Sequence, residues 1–238
     1  MVTFRSYSFL SWAGDTAINI TKPTGLTVGD LMVAQICSDQ SNGESITPPS
    51  GWTQYLQSLG GSGNDKSVIF WKIADSADTS ASTFNFSQGA ANRRAGGIAV
   101  FYNTDGTTPI VTSNADVAQS GTNPSFNNTI TPPANCILCI LTMQRGAAKT
   151  NVSGYAIATD NPTWTETWDE TTALSDDYGI SMAYSAVRSA TSATGNSSVV
   201  GGGTSEEWIG QIIAIQPPAP KTTTLSDTII LTPTFFVL

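Results

Sequence analysis

The chain has 238 residues, of which 39% are hydrophobic and only 12% charged, with a formal net charge of −8 and no histidine. Without histidine the usual proton shuttle and commonest metal ligand are missing, which closes most hydrolase triads and most zinc sites. The 10 basic residues include one adjacent pair, Arg93-Arg94, and no cluster able to neutralise phosphates, which argues against nucleic-acid binding.

The missing charge is replaced by Ser, Thr, Asn, Gln and Gly. These residues favour turns and strand faces over helix interiors. At this length roughly 70% of the unfolded surface can be buried, so a core forms without staples.

Short strands between turn signals dominate. Phe4 to Phe9 alternates and opens the fold, and Thr16 to Ile20 reads as a second short strand. Lys22-Pro23-Thr24-Gly25 breaks it, and Val28-Gly29-Asp30 turns into the nearly all-apolar run Leu31 to Cys37. Pro48-Pro49-Ser50-Gly51 delivers a strand from Trp52 to Leu59. The glycine-rich run Gly60 to Asp65 is a hairpin connection to Ser67–Ile73. A turn or short helix is expected between Ala74 and Ser82. Thr83 to Phe86 and Gly96 to Tyr102 read as two strands, with Arg93-Arg94 flanking a loop between them.

In the second half Cys136 to Met143 is the strongest strand. Tyr155 to Ala158, Thr163 to Trp168, Tyr178 to Val187 and Glu206 to Ile215 come after it, with an acid-rich loop over Asp169 to Asp177. No long window carries a helical apolar period. The expectation is an all-β chain, a two-sheet antiparallel β-sandwich of jelly-roll type, forming one domain over residues 1–216.

The three cysteines, Cys37, Cys136 and Cys139, are an odd number, so a complete disulfide framework is excluded. Cys136 and Cys139 have C-x-x-C spacing, but in a strand residues three apart point to opposite faces, so buried free thiols are expected. No signal peptide is recognisable and no apolar run is long enough to span a bilayer, so folding in a cytoplasm without membrane insertion is expected.

The end of the chain differs in kind. Pro217-Pro218-Ala219-Pro220 is a stiff polyproline-like spacer, and residues 217–227 form a Pro-rich and polar linker. Residues 228–238 are mostly apolar, with Ile229, Ile230, Leu231, Phe235, Phe236, Val237 and Leu238 as the anchoring side chains. A free apolar terminus is an aggregation hazard. It folds back to cap an edge of its own sheet, docks on a neighbouring subunit or assembly partner by strand addition, or stays disordered.

Several segments resemble a β-sandwich domain recurrent in tailed-bacteriophage structural proteins. They are Val28-Gly29-Asp30-Leu31-Met32-Val33-Ala34, Pro48-Pro49-Ser50-Gly51-Trp52-Thr53, Phe70-Trp71-Lys72-Ile73-Ala74-Asp75, Thr83-Phe84-Asn85-Phe86, Gly97-Ile98-Ala99-Val100-Phe101-Tyr102 with Thr108-Pro109-Ile110, and Trp208 to Ile215. The resemblance implies a virion module without catalytic chemistry or cofactor: capsid decoration, head fibre or tail appendage. Its partners would be further copies of itself and other virion proteins. The apolar tail is not part of the shared pattern.

Enzymatic readings find little support. A glycosidase needs two carboxyl groups across a cleft. Glu166, Asp169, Glu170, Asp176, Asp177, Glu206 and Glu207 are the candidates, and no motif pairs any two. They fit no calcium-loop pattern either, so no metal is expected. Trp164 and Trp168 are four residues apart and share a face on a regular strand. They are either packing residues or contacts for a host surface glycan, which would make the chain a carbohydrate-binding attachment module.

Overall fold

A computed structural model describes residues 1–39, 45–61, 65–145, 151–171, 178–201 and 205–220. The described residues form thirteen strands and one short helix in this order: β1 (Thr3–Thr21), β2 (Leu31–Asp39), β3 (Thr53–Leu59), β4 (Asp65–Ile73), α1 (Ser76–Ser80), β5 (Thr83–Tyr102), β6 (Ile110–Gly121), β7 (Ser125–Phe126), β8 (Ile137–Arg145), β9 (Val152–Ile157), β10 (Trp164–Thr171), β11 (Tyr178–Ser185), β12 (Ser197–Gly201) and β13 (Ser205–Ile215). The expected antiparallel sandwich is present. Helix α1 fills the expected break after β4, where Asp75 and Asp78 form a reciprocal capping box.

Two five-stranded sheets face each other, one in the order β1-β5-β2-β4-β3 and the other in the order β10-β11-β8-β13-β6. Each is drawn from one half of the chain, so the jelly-roll winding expected of a single sandwich does not run between them. Read from β6, the second order is β6-β13-β8-β11-β10. With β7, β9 and β12 set aside, both halves trace the same path: first, last, second, fourth, third.

The correspondence extends to register. Phe4 opposes Phe101 and Ser6 opposes Val100, with Arg5 bulged between. Ile110 opposes Ile215 and Thr112 opposes Ala214, with Val111 bulged. Between β3 and β4 a bulge at Tyr55 separates the Gln54–Phe70 and Leu56–Ile69 pairs. Between β10 and β11 a bulge at Thr167 separates Glu166–Ala183 and Trp168–Met182. The left-handed turns before β2 and β8 also correspond, with Gly29 at φ 91° and Asn135 at φ 62°. A position needing positive φ takes glycine or, less often, asparagine. The two halves repeat one structural plan, an internal duplication in the structural sense.

The halves share a core. Leu31, Val33, Cys37, Ile69, Ala99 and Phe101 from one sheet meet Ile137, Cys139, Leu141, Met143, Ile209 and Ile213 from the other. A polar group lies within it. Ser67 donates to Gln211 Oε1 at 2.7 Å, and Gln35 Nε2 donates to the Thr142 carbonyl at 3.1 Å. Gln35, Ser67 and Gln211 have no exposed surface, so these bonds specify how the halves seat on each other. At one end Arg145 pairs with Asp65 at 3.1 Å across the two sheets.

The outer faces are covered too. In the first half β1 and β5 are long strands that break register near Ala13 to Ala17, after which Ile18, Ile20, Phe84 and Phe86 lie over Met32, Ile36, Phe70 and Ile98. Alternation and turn signals alone divide each of these strands into two. Each is one bent strand, and Arg94 lies within β5, 2% exposed, rather than beside a loop. In the second half the same path is divided. The small sheet β7-β12-β9 covers the opposite face with Phe126, Val152, Tyr155 and Val199 packed near Leu138, Ile140, Trp208 and Ile212. The result is four β layers, which explains why so many strands lack a polar face.

Candidate functional site

Residues 228–238, with Ile229, Ile230, Leu231, Phe235, Phe236, Val237 and Leu238, lie outside the described residues. The point from which they depart is described. Strand β13 ends at Ile215, and Gln216 is held by the connection between the halves: its N–H donates to the Pro109 carbonyl at 2.9 Å, and its carbonyl accepts from Asp105 N–H at 3.0 Å. The Gln216 side chain donates to the Thr108 carbonyl at 2.8 Å. The Asp105 carboxylate accepts from the N–H groups of Thr107 and Thr108, both at 2.8 Å. These bonds, with a further one from the Ala219 backbone, hold the Asp105 pKa below the ordinary carboxylate value. The proline spacer is therefore tied to the body. Beside it Asp105, Asn135, Gln216 and Pro217 to Pro220 line an open groove of about 380 Å³.

The tryptophan pair does not form a glycan platform. The bulge at Thr167 adds a residue between Trp164 and Trp168 and turns them to opposite faces. Trp168 is 2% exposed and packs in the core between the halves. Trp164 leans on the outer core and donates from Nε1 to Asn161 Oδ1 at 2.8 Å. A regular strand would have put both rings on one face, and no residue type at Thr167 announces the bulge.

The cysteines behave as their spacing implies. All three are free and buried, with Cys136 in the outer core and Cys139 in the shared one. Desolvation pushes the Cys37 thiol up to about 12 and the Cys136 thiol to about 11. Among the carboxylates, Asp169 accepts from Val152 N–H at 2.6 Å, Glu207 accepts from Gly61 N–H, and partial burial raises the pKa of Glu166. Asp176 and Asp177 lie outside the described residues. Among the described residues no group of three or more acidic or cysteine side chains could hold a metal, and no helix is long and apolar enough to cross a membrane.

A feature that sequence patterns do not announce lies on the side of the sandwich where β1 sits by β10. Phe4 stacks on Tyr184 with centroids 4.6 Å apart, Tyr7 lies 6.2 Å from Trp168, and Tyr7 and Phe9 are 6.3 Å apart. Tyr7 is 42% exposed, and Phe4 and Phe9 are partly buried. The alternation from Phe4 to Phe9 is legible in the sequence; that this face sits at an open side is not.

No family model, no curated protein and no solved structure matches the chain.

Proposed function

We propose that this chain is a non-catalytic structural component of a larger assembly, of the kind built into tailed-phage particles, which docks through its C-terminal segment. One observation carries the reading. The apolar end leaves from a built exit, where Asp105, Thr108 and Gln216 tie the proline spacer to the junction of the two halves. A fixed spacer sets the direction and reach of the segment beyond it. The phage-like pattern of strands and turns in the sequence supports the same setting, and the fold spends its apolar side chains on four packed layers.

The test is removal of residues 221–238 from the chain as it enters particles or complexes. The truncated protein is expected to remain a folded sandwich and to lose incorporation. Full occupancy of the assembly by the truncated chain would overturn the reading. With Trp168 in the core, a glycan reading resting on that pair has no support from the geometry.

A further inference from the structure

We infer that the aromatic strip Phe4, Tyr7 and Phe9 on β1 is a docking surface for residues 228–238 of a second copy of this chain. The inference rests on the reading that the C-terminal segment is an anchor, and it names the acceptor.

The duplication supplies an internal control. By strand register Phe4, Tyr7 and Phe9 of the first half correspond to Ile110, Ser113 and Ala115 of the second. The fold is built equally well with an aliphatic and two small residues at these positions. The aromatic strip is therefore not something the architecture requires. On the side where β1 meets β10 it leaves Tyr7 42% exposed, beside the rings of Trp168 and Tyr184. Tyr7 is the exposed ring of the strip, with Phe4 and Phe9 partly buried beside it, and an apolar patch of this kind at an open side is one that an interface can cover.

Length, chemistry and position identify the occupant. Among the described residues β1 pairs only with β5 and β10 only with β11, so this side presents two edge strands. An extended apolar segment can add to such an edge while its side chains cover the strip. Residues 228–238 carry no charged side chain, and their single proline, Pro233, is tolerated on an edge strand. The segment has eleven residues, as many as β1 has from Thr3 to Ala13, a stretch with one bulge at Arg5 that ends at the next register shift. The linker at residues 221–227 spans at most about 24 Å when extended, enough to leave one body for another in contact with it. Every copy carries both donor and acceptor, so reciprocal exchange closes on itself as a two-fold dimer.

The test joins the two partners in the full chain. Tyr7→Cys is combined with Leu231→Cys or with Phe235→Cys, and the protein is treated with a short bismaleimide. Cys37, Cys136 and Cys139 are buried and do not compete. A covalent dimer that needs both introduced thiols is expected. A link formed only within one chain, or none at all, overturns the inference. In parallel, Tyr7→Asp should weaken self-association at least tenfold by sedimentation, while Ser113→Asp at the corresponding position leaves it unchanged. Equal effects of the two substitutions overturn it as well. If removing residues 221–238 abolishes association but position 7 is silent, the acceptor is wrong and the anchor stands. If removal leaves association intact, the inference falls, and the anchor reading is decided separately by incorporation of the truncated chain into the assembly.

Discussion

The indole of Trp168 lies against the backbone of Gly97, so close that a Cβ on Gly97 would sit 2.8 Å from ring carbon Cε2. The two residues belong to different halves and pack across the shared core. In the corresponding places of the duplicated fold stand Leu56 and Gln211, a smaller side chain facing a larger one. Volume has been exchanged across the interface while its total is kept, as close packing demands.

Gly97→Ala should therefore cost about 1–3 kcal/mol, the usual penalty of overpacking a filled site. Trp168→Ala should cost about 3–5 kcal/mol through the cavity it leaves. The double variant Gly97→Ala with Trp168→Leu moves volume from one side of this contact to the other, in the direction of the Gln211 and Leu56 pair of the other half. Its destabilisation, measured by urea unfolding, is expected to fall short of the sum of its single changes by more than about 0.5 kcal/mol. Strict additivity would show that the two positions do not share one packing site.

Ser67 is the hub of the polar group between the sheets, donating to Gln211 and accepting from Gln35 at 3.3 Å. Ser67→Ala leaves Gln211 Oε1 without that donor in a dry core and should cost about 1–3 kcal/mol. The measurement is equilibrium unfolding monitored by both fluorescence and far-UV circular dichroism. The two signals should move together, because the affected bonds join both halves.

The thiols give a pH prediction with a definite sign. Burial holds Cys37 near 12 and Cys136 near 11, above the ordinary thiol value, so the unfolded chain releases these protons first as pH rises. Stability is then fully present below about pH 8.5 and falls above it, by up to about 1.4 kcal/mol per pH unit for each such thiol until its folded pKa is reached. Denaturant midpoints between pH 8 and 10.5 test this. Replacing Cys37 by alanine should flatten the slope. In the native protein at pH 8 a thiol reagent should label none of the three cysteines, and all three after unfolding.

Asp105 gives the opposite sign. Its pKa is lowered by the N–H groups of Thr108 and Thr107 and, more weakly, by Ala219, so its grip on the spacer is present above the ordinary carboxylate pKa and is lost as pH falls through its depressed value. Asp105→Ala should release the spacer at neutral pH. Limited proteolysis after Lys221 should then be faster than in the parent chain, with the melting of the sandwich little changed.

Local patterns were readable where they reflect a single strand or turn. The run Leu31 to Cys37, the hairpin around Gly60 and the opposite faces of Cys136 and Cys139 all arise from alternation and turn chemistry. Features made by one added residue were not. The bulge at Thr167 sends Trp168 into the core, and the register breaks after Ala13 let β1 continue as one strand where two were expected. The duplication was hidden for a related reason. Burial preserves type rather than identity, so Leu31 corresponds to Ile137 and Gly29 to Asn135, and only strand register aligns the halves. Gly96 and Gly210 are an exception with a cause: at Gly96 the side chains of Ile36 and Ile20, and at Gly210 the ring of Phe126, crowd the place a Cβ would take.

One consequence concerns where the chain could begin. Tyr102 is linked to Pro109 by a short connection, and register makes Gln216 and Thr3 the counterparts of those two ends. A copy of that connection placed between Gln216 and Thr3 would have the same gap to cross. The molecule is thus a natural candidate for circular permutation: opened within 103–109 and joined between Gln216 and Thr3, the body should regain its architecture with the halves in reverse order.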